Sequence, residues 1–174
     1  MRVVELLRHP DNDGDRLSPD GVAAAEEIGR TGLHPPYAFF ASTGAARAVQ
    51  TAEILRHAAA QDDVPILTVG GLRSAVEDRW REAAKAAGDG ADLEGIRVVD
   101  PVLVDTETRL LGQALREVLD SVPDGGRALV VGHSPTNEAA VLGLTGQVVA
   151  PLGKGEGVLV TETDGLVQVA PLNR

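Results

Sequence analysis

Three apolar runs in this sequence each stop at residues able to hold or attack an anion, and each then leads into a helical pattern. Val3–Leu7 ends at Arg8-His9. Tyr37–Ala41 ends at Ser42-Thr43, with Arg47 one helical turn further on. Arg127–Val131 ends, after Gly132, at His133-Ser134. In open α/β sheets ligands sit beyond the carboxyl ends of the strands. Were the three strands parallel neighbours, Arg8, Arg47, His9, His133, Ser42 and Ser134 would converge on one spot. Arginine presents a fixed fork of donors that matches a tetrahedral oxyanion. Histidine serves as nucleophile, acid or base. Phosphoryl transfer asks mainly for positioning and for neutralisation of charge on the equatorial oxygens. A histidine nucleophile clamped by two arginines and a second histidine meets that demand with cations, where Mg²⁺-dependent sites use carboxylates; no metal or cofactor is expected.

The elements that must position these residues can be read along the chain. Val3–Leu7 reads as a strand, followed by a polar, turn-rich stretch from Asp11 to Arg16. Ser18-Pro19-Asp20 carries the marks of a helix start, with a capping hydroxyl, proline in the first turn and an acid beside it. That helix should run to about Arg30. Strands are expected at residues 37–41 and 64–69, with a helix at 45–59 between them. A helix is expected over about Asp78–Ala87, then a Gly88-Asp89-Gly90 loop. Val98–Val104 is apolar but broken by Pro101, and reads as irregular or as an edge segment. Thr106–Arg109 is expected to cap a helix reaching about Val122. A strand at 127–131, a helix from Pro135 or Thr136 to Leu144, and strands at 157–163 and 166–170 follow, the last two joined by the hairpin signal Asp164-Gly165. The expected fold is a three-layer α/β sandwich, a mainly parallel sheet with helices on both faces, in one domain spanning 1–174.

Composition sets the bounds. Aromatics are 2% of the 174 residues, so the core must be built from Val, Leu, Ile and Ala. The net charge of −10 argues against a nucleic-acid partner and makes any anion-binding pocket a local exception. The absence of cysteine excludes disulfides, thiolate catalysis and Cys-based zinc sites. No apolar run approaches the roughly 20 residues of a membrane helix, so no membrane partner is expected. The short apolar start running into Arg8 is unlike a signal peptide. A cytoplasmic protein is the expectation.

The same residues carry a resemblance. Leu6-Leu7-Arg8-His9 resembles the strand-end Arg-His-Gly motif of the histidine phosphatase superfamily, whose fold is phosphoglycerate-mutase-like. Leu17-Ser18-Pro19-Asp20-Gly21 resembles its Leu-Thr-x-x-Gly helix start. Ala41–Glu53 resembles its Ser-Ser-Pro-Leu-x-Arg-Ala-x-Gln-Thr-Ala-Glu block, and Val130–Ser134 its Val-Val-Ser-His ending. The four blocks occur in the family's order between residue 3 and about residue 145. The resemblance implies that His9 is the nucleophile, that Arg8 and Arg47 hold the phosphoryl oxygens, and that His133 donates to the same group. It also implies an acid for the leaving oxygen, Glu77 or, alternatively, Asp78. Pro10 departs from the pattern, standing where the family usually has glycine and lacking an N–H to offer phosphate. Gly44-Ala45 replaces Pro-Leu.

The short segment between residues 72 and 106 is similar to that of the compact phosphatases, phosphohistidine phosphatases among them. It implies an open site and a small phosphorylated substrate or a phosphoprotein. A mutase that returns the phosphoryl group, or a non-catalytic phospho-ligand or protein-binding module, are the alternatives. Taken singly, the residues have ordinary readings too: Ser42 and Thr43 as helix caps, Glu77 and Asp78 as first-turn acids, His34 and His57 as structural or solvated, and Trp80 as core, lid or substrate contact.

Overall fold

The computed structural model describes residues 1–173. In chain order the elements are β1 (Arg2–Arg8), β2 (Asn12–Asp13), β3 (Arg16–Leu17), α1 (Pro19–Thr31), β4 (Phe39–Ser42), α2 (Ala46–Ala58), β5 (Ile66–Thr68), a single 3₁₀ turn at Gly70–Leu72, α3 (Glu77–Ala87), α4 (Leu93–Val99), α5 (Pro101–Ser121), β6 (Arg127–Gly132), α6 (Thr136–Thr145), β7 (Gly157–Thr163) and β8 (Leu166–Pro171). Six strands form one sheet in the order β5-β4-β6-β1-β7-β8. β1, β4, β5 and β6 run parallel, and β7 joins β1 antiparallel. The turn between β7 and β8 has φ of 51° at Asp164 and 80° at Gly165, the paired positive values of a two-residue hairpin.

The side-chain period of 2 divides the core into two. Val4 and Leu6 of β1, Phe39 and Ala41 of β4, and Ala128 and Val130 of β6 face the cluster built with α3, α4, α5 and α6. Leu7, Phe40, Leu129 and Val131, one residue out of step, face Ala48, Ala52 and Leu55 of α2. Helices therefore cover both faces of the sheet, as the sequence leads one to expect. Burying each valine or leucine this way contributes about 1.5–3 kcal/mol, and aliphatic side chains make up nearly all of it.

One segment departs from the sequence reading. Residues 98–104, read as irregular or edge, are the end of α4 and the start of α5, and α5 begins five residues before the expected cap at Thr106. Proline breaks a strand, but it also opens a helix, and here Pro101 does the second. It occupies the first turn of α5, where its missing N–H has no partner to lose, and the Asp100 side chain caps the helix by accepting from Leu103 N at 3.1 Å. Among the described residues no helix is long and apolar enough to cross a membrane.

Candidate active site

The adjacency of β4, β6 and β1 brings their carboxyl ends side by side. His9 N donates to the Gly132 carbonyl at 3.1 Å, and Thr43 N to the Val131 carbonyl at 3.3 Å, so the three strand ends are tied together. Asn137 tightens the arrangement from α6 by donating to the Leu7 carbonyl at 3.0 Å. The loop after β1 is drawn down onto α1. There a Cβ on Gly21 would lie 1.8 Å from the Asp11 carbonyl oxygen, which explains the glycine of the Leu-Ser-Pro-Asp-Gly segment.

His9 and His133 meet edge to face with ring centroids 5.2 Å apart. Arg47 addresses both. Its Nε donates to His9 Nε2 at 3.2 Å and its Nη2 to His133 Nδ1 at 3.3 Å. A guanidinium only donates, so those two ring nitrogens are unprotonated. The protons then sit on His9 Nδ1, which donates to the Pro10 carbonyl at 2.7 Å, and on His133 Nε2, which donates to Thr43 Oγ1 at 2.7 Å. Burial and the neighbouring cations keep both rings neutral. Burial lowers the pKa of His9 to about 4, with Arg47, Arg8 and Lys154 adding to the fall, against the pull of the Pro10 carbonyl. Burial lowers His133 to about 3, with Arg47 and His9 assisting. Pro10, which lacks an N–H, contributes through its carbonyl instead and fixes the tautomer of His9.

Arg8 reaches the same cleft and donates through Nη1 to the Leu152 carbonyl at 2.7 Å. Burial pulls its pKa below the usual value, while the charges of Glu138 and Glu156 oppose the shift. Glu77 lies in the first turn of α3 and lines the cleft, its carboxylate accepting from Arg73 Nε at 2.9 Å. Asp78 points elsewhere: its side chain is 89% exposed and paired with Arg81. Ser134 lines the cleft and donates to Glu138 Oε1 at 2.5 Å. Ser42 stands apart. It is fully buried, and its hydroxyl accepts from Gly44 N at 3.2 Å, which shapes the turn into α2.

The cleft measures about 510 Å³. Sequence reasoning missed three of its cations, Arg73, Arg81 and Lys154. With Arg8 and Arg47 they make five cations against two acids, Asp15 and Glu77, in a protein of net charge −10. Asp15 holds Arg47 Nη1 at 2.7 Å from the rim. Lys154 ties the loop after β1 by donating to Asp11 and Asn12. A side pocket of about 260 Å³ opens from the cleft between Trp80, Ala84 and Pro135. Trp80 is buried, and its indole N–H donates to Glu107 at 3.2 Å; the Ser74 hydroxyl donates to the same oxygen. The polar atoms of that wall are thus engaged with Glu107. Among the described residues no three His, Asp or Glu side chains are grouped to hold a metal ion. His34, half-exposed, pairs with the buried Glu5, and His57 with Asp62 on the surface; neither histidine lines the cleft.

No protein-family model and no curated protein matches the sequence. Solved structures do match the fold. A phosphoglycerate mutase from Bacillus anthracis str. Sterne superposes with a TM-score of 0.75 at 17% identity, over 98% of this chain and 92% of that one. A phosphoserine phosphatase from Entamoeba histolytica, in complex with 3-phosphoglyceric acid, gives 0.73 at 15% identity, over 100% and 98%. An alpha-ribazole phosphatase from Shigella flexneri gives 0.68 at 12% identity, over 99% and 96%. The chain has the phosphoglycerate-mutase-like fold shared by these mutases and phosphatases.

Proposed function

We propose that this chain is a metal-independent phosphatase of the histidine phosphatase superfamily, hydrolysing a cytoplasmic phosphomonoester or phosphoprotein through a phosphohistidine on His9. One observation carries the reading: His9 Nε2 is unprotonated and faces Arg47 at 3.2 Å, beside His133, at the joined ends of three parallel strands. A neutral imidazole nitrogen is a nucleophile, and the guanidinium beside it is part of an oxyanion clamp.

In the first step the Nε2 lone pair forms a bond to phosphorus as the bond to the leaving oxygen breaks. Glu77 gives its proton to that oxygen. Arg8 and Arg47 take the equatorial oxygens, His133 donates to the same group once the charge of the bound anion favours its protonated ring, and Ser134 lies within the same binding cleft. The phosphorylated ring, still carrying the Nδ1 proton, is cationic, and the Pro10 carbonyl that accepts that proton's hydrogen bond stabilises it. In the second step water attacks phosphorus, gives a proton to the Glu77 carboxylate, and the nitrogen–phosphorus bond breaks to return neutral His9 and inorganic phosphate. The side pocket beside Trp80 and Pro135 suits the leaving group. Release of inorganic phosphate from an aryl phosphate tests the reading. Turnover should vanish in His9→Ala, and full activity in that variant would refute it.

A further inference from the structure

The mechanism leaves unused a buried acid that lies beside the Arg8 anchor. Glu138, in the first turn of α6, is 2% exposed. Its Oε1 accepts from Ser134 Oγ at 2.5 Å and from Leu152 N at 2.9 Å, and its Oε2 is buried without a hydrogen-bond partner. Leu152 in turn offers its carbonyl to Arg8 Nη1 at 2.7 Å. Leu152 is itself buried, on the segment between α6 and β7, where no strand ladder fixes its backbone. Arg8 Nε is buried and unpartnered too, so the guanidinium has few other anchors on the protein side. Keeping an ionisable group in such a place is costly unless it is paired and hydrogen-bonded.

We infer that Glu138 is a positioning residue for Arg8: it grips Leu152 by its N–H, and Leu152 by its carbonyl sets the direction of the Arg8 fork towards the phosphoryl group. Its second grip, on Ser134, takes that hydroxyl's one proton and holds the residue against the cleft wall. The charge of Glu138 also faces Arg8, each shifting the other's pKa towards its charged form against the effect of burial. Hydrogen-bond acceptance at Oε1 is the function, so an amide there should serve nearly as well as a carboxylate.

The inference rests on the proposed reading of the cleft as a phosphoryl site, and its test separates the two. Orthovanadate affinity is measured by calorimetry for wild type, Glu138→Ala, Glu138→Gln, Arg8→Lys and the Glu138→Ala/Arg8→Lys pair. Glu138→Ala should weaken binding about tenfold, the scale of coupling within one hydrogen-bonded network. Glu138→Gln, which keeps the acceptor, should stay within about threefold of wild type on the same scale. In the Arg8→Lys background Glu138→Ala should cost little more, because its effect passes through Arg8. If Glu138→Ala does not fold, Glu138→Asp, which keeps the charge but withdraws it from Leu152 N, carries the same expectation. Wild-type affinity in Glu138→Ala and Glu138→Asp, or losses that add independently to that of Arg8→Lys, would overturn the inference alone. A wild-type protein that binds no vanadate would overturn the reading of the cleft and this inference with it.

Discussion

Acid should destabilise this protein well above the pH at which its carboxylates titrate, and the cause should be traceable to the two cleft histidines. His9 and His133 have pKa values of about 4 and about 3 in the folded chain, against 6.5 for an unperturbed imidazole. Above pH 6.5 both are neutral in either state. As pH falls below 6.5 the unfolded chain takes up two protons that the folded chain refuses. Stability is then lost until His9 protonates near pH 4 and His133 near pH 3. Each histidine contributes about 1.36 kcal/mol per pH unit inside its window, so between pH 8 and pH 5 the pair accounts for a loss of about 4 kcal/mol. Asp11, Asp15, Asp100 and Asp124, whose pKa values are lowered, lose their contributions only below about 3.8 and are silent in this range. Glu138, raised by burial, acts with the opposite sign. Comparison of variants cancels it. Urea midpoints at unchanged slope give the stability at each pH. His133→Asn should remove about half of the loss between pH 8 and pH 5. A wild-type loss that His133→Asn and His9→Asn leave untouched, or imidazole titrations near 6.5 by NMR, would refute the assigned tautomers and the burial argument.

Three further outcomes are expected. Glu77→Gln should lower kcat about 100-fold or more on an alkyl phosphate, whose leaving oxygen needs a proton, and far less on a nitrophenyl ester; equal losses on both would remove Glu77 from the acid's role. Asp15→Asn should tighten vanadate binding about two- to fivefold by releasing Arg47 from an exposed ion pair, and weaker binding would contradict the view of Asp15 as a competitor for Arg47. Ala84→Phe should fill the side pocket and lower kcat/KM for phenyl phosphate about tenfold while leaving vanadate affinity unchanged; an unaffected kcat/KM would place the leaving group elsewhere.

The strand ends were legible because the chain marks them twice, once by apolar runs that stop and again by helix starts that follow. Arg8, His9, Arg47 and His133 could be picked out for that reason, and the sheet order β4-β6-β1 puts them together. Pro101 is ambiguous in the sequence because the same residue breaks a strand and opens a helix; Asp100 before it is the signal for the second. Arg73, Arg81 and Lys154 carried no local signal, since they come from a 3₁₀ turn's end, the middle of a charged helix and a loop. Their convergence is a tertiary fact. Ser42 went the other way, a polar residue at a strand end whose hydroxyl turns back to its own loop. Glu138 had a usable mark: it lies four residues after Ser134, at the head of a run of small and apolar residues where an acid has no ordinary place.

The central claim is that His9 accepts the phosphoryl group, and rapid quenching with a radiolabelled aryl phosphate tests it most directly. The account predicts label that survives alkali, is lost in acid, and maps to the peptide carrying Arg8-His9-Pro10. Phosphate release without any labelled enzyme, or label on another residue, would contradict it.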